Sequence, residues 1–363
     1  MKLIIRIAIL VLSINSLLAL PRFALMEEVS CGSCHSYQGG GANRTEYGEE
    51  YARESLIMKD IAFPWENEDS EFPLYFGLDT RYQMIAQADK DLRQFPMQFA
   101  LYGGAEMGSL ITHAEVLRIS EEFRFSGGLR YEGLPLESWV SLAKALPVLG
   151  WRIDDHSIFT RGGNLTLQGL NREGMPYTPF LESPKLMEFG SSPIVGLDLS
   201  VMAGTSFIQQ NGSADSDLFT ALKMSYLYSG DLFSAQIGLA YLDESKLINA
   251  SVATWGISSY GIVWLGEWAQ MNGWIQSDIT NMATFQQLSY RLFQGLDIVG
   301  RYEFFDPNID LTTGAIQRTS LGLEFFPVRG MEVKLSYRNS SLELPDASPD
   351  PESQILSQIH FYL

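Results

Sequence analysis

The residues with the most specific chemistry are Cys31 to His35, which read Cys-Gly-Ser-Cys-His. Two thiols three positions apart lie one helical turn from each other, so both can form thioether bonds to the vinyl groups of one porphyrin. The next residue, His35, then lies beneath the ring, where its imidazole can bind the iron as the proximal ligand. The spacing therefore predicts an attachment site for one covalent haem c.

Three other kinds of site contain the same residue types. A thioredoxin-like dithiol needs a βαβ context, and no such pattern follows the motif. A structural zinc site needs four ligands, but the chain has two cysteines, and the next histidine after His35 is His113. A disulfide between Cys31 and Cys34 remains open in an oxidising compartment, although it leaves His35 without a role.

The distal ligand of the iron has to come from another part of the chain. Met58 is the nearest candidate, and a thioether ligand would raise the reduction potential. Met58 could equally well be a methionine on a short helix that faces the core of the protein. His156 is the alternative distal ligand and would bring the haem into the body of the protein. His113 is interpreted as a pore-lining residue, and His360 has no assigned role.

The composition is that of a folded, acidic protein. Of 363 residues, 46% are hydrophobic and 19% charged, which excludes a disordered chain. The net charge of −18 and the lack of a Lys/Arg cluster argue against nucleic acid as a partner. The acidity fits cationic partners or simply a solvated acidic surface.

Residues 1–20 have the layout of a cleaved signal peptide. Lys2 and Arg6 precede an apolar run over residues 7–18, and Ala19 is a suitable cleavage position. The run is shorter than the roughly 18–20 residues that a spanning helix needs. We therefore expect export, with any membrane crossing made by strands.

Residues 21–71 form the predicted monohaem cytochrome c segment. A Gly-rich stretch follows the haem motif, and helix-forming residues then run from Glu49 to Asp60, before Pro64. So short a segment cannot bury a sufficient core by itself. The haem or the rest of the chain must cover it.

From Pro73 the hydrophobic pattern changes to a period of two. Apolar residues alternate with polar ones, which predicts strands with one apolar and one polar face. The pattern recurs near residues 123, 195, 233, 296 and 331. In the first strand the apolar positions are Leu74, Phe76, Leu78, Tyr82 and Met84, and the opposite positions are Tyr75, Gly77, Asp79, Arg81 and Gln83.

Loop lengths favour a transmembrane antiparallel β-barrel over a soluble all-β sandwich. After residue 205, short connections alternate with longer ones rich in Gly, Asn, Asp, Pro and Ser, as in barrels whose short turns face the periplasm. The predicted barrel covers residues 72–363 and has about 14 strands, within a range of 12–16, and the haem segment could plug its lumen. Residues 146–193 lack clear alternation. They fold either into the lumen, where Arg152, Asp154, Asp155 and Arg161 would find partners, or into an extracellular loop.

A family resemblance rests on Pro21, Phe23 and Ala24 shortly before the Cys31–His35 motif, and on the barrel-like sequence that continues to Leu363. This arrangement resembles the fused cytochrome-porins of neutrophilic iron-oxidising bacteria, in which an N-terminal monohaem cytochrome c precedes an outer-membrane β-barrel. The resemblance implies that the haem takes electrons from an extracellular donor such as Fe(II) and passes them to periplasmic carriers. The chain departs from that family in its short length and in the stretch from Gly39 to Gly48.

Three functions are compatible with these features. The leading hypothesis is an outer-membrane protein that transfers electrons between an extracellular donor or acceptor and a periplasmic c-type cytochrome or another redox carrier, with Fe(II) oxidation as its associated activity. The alternative is a porin or channel whose haem segment acts as a plug or redox sensor. A haem peroxidase is a third candidate and would need an open sixth coordination position. In each case the lipid of the bacterial outer membrane surrounds the barrel.

Overall fold

The computed structural model describes residues 21–35, 44–59, 74–88, 90–119, 122–151, 153, 155, 157–163, 174–175, 183–208, 218–244, 248–274, 276–343 and 351–362. Sixteen antiparallel strands in these residues form a closed barrel, in which each strand pairs with its neighbours in sequence and β16 pairs with β1. The strands are β1 Leu74–Gln87, β2 Arg93–Met107, β3 Leu110–Ile119, β4 Glu122–Leu134, β5 Ser138–Lys144, β6 Lys185–Ile194, β7 Leu197–Thr205, β8 Leu218–Gly230, β9 Phe233–Glu244, β10 Ile248–Ser259, β11 Ile262–Asn272, β12 Thr280–Phe293, β13 Leu296–Asp306, β14 Ile316–Phe325, β15 Met331–Leu342 and β16 Glu352–Tyr362.

The predicted transmembrane antiparallel β-barrel is confirmed, with sixteen strands rather than about 14. The sequence pattern is least regular in the first half of the chain. Pro96 interrupts β2, and the β1–β2 register shifts at Arg81/Tyr82. The β4–β5 register shifts between Tyr131 and Leu134. Because each bulge reverses the faces of the residues that follow it, the period of two is lost where these strands begin and end.

The two faces of the strands separate lipid from lumen. In β9, Ile237, Leu239 and Tyr241 point outward and are 63%, 59% and 49% exposed. In β1 the intervening residues Asp79 and Arg81 point inward and are buried. A soluble sandwich would bury its apolar face between two sheets, whereas this single closed sheet exposes that face around its circumference.

The connections differ between the two ends of the barrel, which we call the short-turn end and the loop end. At the short-turn end, tight turns use glycines with positive φ, including Gly196 (81°), Gly261 (78°) and Gly295 (87°), a conformation that suits two-residue hairpins. The β1 strand begins and the β16 strand ends at this end. The loop end carries the longest connection, residues 145–184 between β5 and β6.

Residues 21–35 and 44–59, which we call the plug segment, lie inside the barrel near the short-turn end. They form the helices α1 Pro21–Met26, α2 Cys31–Cys34 and α3 Glu46–Tyr51, followed by a π-helical turn at Ala52–Leu56. Phe23, Tyr51 and Leu56 pack against Phe326 and Tyr362 of the barrel. The predicted helix over 49–60 therefore begins earlier, at Glu46, and helical structure ends at Leu56.

The described residues of the β5–β6 connection, which we call the inserted loop, enter the lumen from the loop end. Trp151, Ile153 and Ile158 form one buried cluster with Leu25 of α1 and with inward-facing residues of β11 and β12. The plug segment and the inserted loop thus meet inside the barrel. The sequence left open whether residues 146–193 fold into the lumen or form a loop in solvent. The structure places the described residues of the inserted loop in the lumen, whereas residues 185–193 belong to strand β6 of the wall.

The predicted domain boundary lies close to the first strand, because β1 begins at Leu74. The predicted signal peptide, residues 1–20, lies outside the described residues. None of the helices in the described part of the chain combines the length and apolar character required to cross a bilayer.

Two substitutions on one face of β9 test which surface contacts lipid. We expect Leu239→Arg, in the middle of the strand, to lower the free energy of unfolding by about 2–4 kcal/mol, because an arginine at the bilayer midplane is poorly solvated. Phe233→Arg, on the same face at the strand end, should cost about 0–1 kcal/mol. Urea unfolding in lipid vesicles measures both values. Equal losses at the two positions would contradict this assignment of the lipid face.

Candidate functional site

The Cys31–His35 motif forms a single helical turn, and a neighbouring segment donates hydrogen bonds to the carbonyl groups at its C-terminal end. Ser30 precedes α2 in an extended conformation, and His35 follows it in the same conformation. Thr45 donates from its hydroxyl to the Ser33 carbonyl at 2.6 Å and from its amide to the Cys34 carbonyl at 3.2 Å. These bonds satisfy carbonyls that a short helix leaves unpaired. The predicted one-turn separation of Cys31 and Cys34 is therefore present in the backbone.

Helix α3 lies directly against the motif. A Cβ atom on Gly48 would be 2.2 Å from the Cys34 carbonyl oxygen, so a larger residue at this position would push the two segments apart. The Gly48 amide in turn donates to the Thr45 hydroxyl at 3.2 Å, which caps α3. Gly48 and Thr45 together fix the position of α2.

His35 is buried, with 3% of its surface exposed, and its backbone pairs with Arg44. Arg44 Nη1 lies 3.9 Å from Glu49, which also lies 3.4 Å from Arg329 of the β14–β15 turn. Burial lowers the pKa of Arg44, and Glu49 opposes this shift. The histidine of the motif is thus enclosed by the plug segment, which is itself tied to the barrel wall.

A cavity inside the barrel borders α2 on both sides of Cys31, at Ser30 and Gly32. It contains about 710 Å³ of space without protein atoms, part of it open to solvent. Its apolar lining comes from two tryptophans and two aliphatic residues of the wall and the inserted loop: Trp139, Val148, Trp151 and Leu199. Polar and charged residues, among them Asp198 and Lys223, make up the rest of the lining. The apolar part of the lining fits the faces of the predicted porphyrin, which are apolar.

The candidate distal ligands lie in different places. Met58 is 54% exposed, its amide donates to the Phe326 carbonyl at 2.9 Å, and it packs against Gly295 at the short-turn end. It therefore lies beside the β12–β15 part of the wall, whereas the wall residues that line the cavity at α2 belong to β5–β10. His156 lies outside the described residues. Both remain predictions as iron ligands.

The other two histidines belong to the wall. His113 lies on β3 opposite Gly128 and points inward, in agreement with its interpretation as a pore-lining residue. His360 is fully buried on β16, with Nδ1 3.1 Å from Glu332 and Nε2 3.2 Å from Asp79. This arrangement ties β16 to β1 and β15 across the closure of the barrel.

A chain of alternating charges connects the plug segment to the wall. Arg22 of α1 is 1% exposed, and its Nη2 lies 2.6 Å from Glu324 on β14 and 3.2 Å from Asp297 on β13. Burial alone would lower the pKa of Arg22, but the two carboxylates outweigh it and raise that pKa. The guanidinium also lies 4.5 Å from the ring centroid of Phe23. Arg22 is therefore the main electrostatic anchor of α1.

The same chain continues to the inserted loop. Arg301 on β13 lies 3.0 Å from Glu324 and 2.8 Å from Asp155 of the loop. Burial alone would raise the pKa of Asp155, but Arg301 outweighs it and holds that pKa well below its usual range. Arg161 forms a second bridge, with nitrogens 2.7 Å and 2.9 Å from the Glu267 carboxylate.

These contacts confirm part of the sequence prediction for the loop. Asp155 and Arg161 have lumenal partners, while Arg152 and Asp154 lie outside the described residues. The role of Arg22 was not foreseen. Arg22 belongs to no recognisable sequence motif, and its partner Glu324 is one of many polar residues that alternate along the strands.

Comparisons with known proteins agree on the fold. No protein-family model matches the chain, and no curated protein matches its sequence. Among solved structures, an anion-selective porin from Comamonas acidovorans is 12% identical with a TM-score of 0.55, over 80% of this chain and 99% of the porin. OprB of Pseudomonas putida is 10% identical with a TM-score of 0.57, over 80% of this chain and 94% of OprB. OmpT of Vibrio cholerae is 10% identical with a TM-score of 0.53, over 82% of this chain and 99% of OmpT. At these identities the likeness concerns the fold alone, and the chain has the β-barrel fold of outer-membrane porins.

Proposed function

We propose that the protein is a porin-type channel of the outer membrane whose periplasmic mouth is closed by the plug segment. The observation that carries the proposal is the position of α1, buried inside the barrel and held by Arg22 between Asp297 and Glu324. Short turns of such barrels face the periplasm, so the plug segment lies at the periplasmic side. The inserted loop narrows the lumen from the outer side through its contacts with Glu267 and Arg301.

The plug segment is also the proposed carrier of a covalent haem c. Cys31 and Cys34 would hold the porphyrin through thioether bonds, and His35 would bind the iron. When bound, the haem supplies a one-electron redox couple. The chain contributes the enclosure: Gly48 and Thr45 fix α2, and the cavity beside α2 offers an apolar surface. In a channel, this couple would make the plug responsive to redox state.

Electron transfer across the outer membrane is the second candidate function. The observation in its favour is that α2 faces the lumenal cavity rather than the lipid, so a group held there would lie along the barrel axis. The hydrocarbon layer is about 30 Å thick, so a single haem needs a redox partner near at least one mouth. A periplasmic cytochrome would approach at the short-turn end.

The plug is tested by removing its charge anchor. Removing one partner of a buried ion pair costs about 3–5 kcal/mol, so we expect Arg22→Met to increase the fraction of open channels by a factor of about 10²–10⁴. Single-channel conductance in planar bilayers measures this fraction. The control is Arg53→Met, which removes an exposed arginine of the same segment and should leave conductance near the wild-type value. A freely conducting wild type would contradict the proposed closure.

The haem is tested separately from the channel. We expect the purified protein to show a c-type haem spectrum and to retain the haem through denaturing electrophoresis. Cys31→Ala combined with Cys34→Ala should abolish that retention, while folding, followed by heat-modifiable gel mobility, stays intact. Wild-type protein without bound haem would remove the redox part of the proposal and leave the channel. Reduction by a soluble c-type cytochrome would support the electron-transfer function.

The distal ligand has its own test. If Met58 binds the iron, Met58→Ala should change the ferric haem from low spin to high spin, because a coordination position opens. Met26→Ala, a partly buried methionine of the same segment, is the matched control. An unchanged spectrum in Met58→Ala would exclude Met58 and direct the same experiment to His156→Ala.

A further inference from the structure

A second lumenal cavity lies beside the inserted loop, at the middle of β13–β15. It contains about 500 Å³ of space without protein atoms, part of it open to solvent. Three cations line it, Arg301, Lys334 and Arg338, together with the hydroxyl-bearing residues Ser320 and Ser336. The cavity is separate from the one at α2, which is lined from β5–β10.

The cations of this cavity differ in how their charge is balanced. Arg301 lies 2.8 Å from Asp155 and 3.0 Å from Glu324, and Lys334 lies 3.2 Å from Glu332. Arg338 is 3% exposed, and its one hydrogen bond to a described residue runs from Nη2 to the Ser157 hydroxyl at 3.0 Å. Its Nε and Nη1 have no partner among the described residues. Arg338 is thus a buried cation with two unbonded donor groups, and the carboxylates that act on its charge, Glu303 and Asp155, are shared with Arg318 and Arg301.

The carboxylates of the cavity are already engaged. Asp155 binds Arg301 and accepts from the Ser157 amide at 3.0 Å. Glu324 is shared between Arg301 and Arg22. A further positive charge, Arg318, lies close by, since its Nη1 donates to the Ser157 carbonyl at 2.7 Å. Arg318 has its own carboxylate at 3.8 Å, Glu303. Two guanidinium groups therefore converge on Ser157.

We propose that Arg338 is the centre of a binding site for a small inorganic anion such as chloride. A buried charge is stable only when it is paired or hydrogen-bonded, and an anion in this cavity would pair with Arg338 directly. The unbonded Nε and Nη1 of Arg338 can both donate to one monovalent anion. The hydroxyls of Ser320 and Ser336 line the same space and can donate to the bound ion. The ion would also hold the tip of the inserted loop, because Ser157 binds both Arg318 and Arg338.

The experiment compares chloride with gluconate at equal ionic strength, using the full-length protein in detergent micelles. We expect chloride at 100 times its dissociation constant to raise the melting temperature of the wild type by several degrees, since a ligand of the folded state stabilises it. Arg338→Met should abolish this difference. The matched control Lys223→Met removes a lumenal charge at the other cavity and should retain it.

Each outcome of this experiment either supports the proposed anion site or overturns it. Equal stabilisation by chloride and gluconate would show an effect of ionic strength only and overturn the proposal. An undiminished chloride effect in Arg338→Met would likewise overturn it. If Arg338→Met does not fold, judged by its gel mobility, Arg338→Lys replaces it, and we expect chloride binding at least tenfold weaker because a guanidinium donates more hydrogen bonds than an ammonium group. Binding by Arg338→Lys equal to the wild type would contradict the site.

Discussion

The structure depends on the neutralisation of charge inside the barrel. The strands turn their apolar residues to lipid, so their charged residues must face the lumen, where an unpaired charge is costly. Arg22, Glu324, Arg301 and Asp155 form one connected chain of ion pairs in that space. Its two ends belong to the plug segment and to the inserted loop, and its middle belongs to the wall. Displacing the plug segment would remove one partner from Asp297 and from Glu324, and displacing the inserted loop would remove one partner from Arg301.

Apolar contacts, like the ion pairs, hold the plug segment and the inserted loop inside the barrel. Leu25 of the plug segment packs against Trp151 and Ile158 of the inserted loop, and all three are buried. Phe23 packs against Phe326 and Tyr362 near the barrel mouth. A segment too short to build its own core thus completes one with side chains from the wall and from the inserted loop. The position of the Cys31–His35 motif follows from this packing, because α2 is joined to α1 by a few residues and is pinned by Thr45 and Gly48.

The proposed haem and the proposed solute path would share one space. The cavity beside α2 and the cavity at Arg338 are both lumenal, and both are bounded by the inserted loop. Solutes that cross the barrel would have to pass the plug segment. Both cavities have mixed linings, because Asp198 and Lys223 line the cavity near α2 and Val299 and Leu323 line the cavity near Arg338.

The sequence by itself determined the class of fold, and it predicts the chemistry of the motif. Alternation with a period of two depends only on local residue order, so Asp79 and Arg81 could be assigned to the inner face and Leu239 to the outer face before any contact was known. The spacing of Cys31 and Cys34 likewise fixed a one-turn separation. Only the tertiary structure decided the sixteen strands, because a bulge and Pro96 obscure the alternation in β2 and because residues 185–193, which form most of β6, belong to a stretch without clear alternation. It also decided that the described residues of the inserted loop enter the lumen. Arg22 meets Glu324 across about 300 positions of sequence, and such a pair leaves no local pattern because closure of the barrel brings it together.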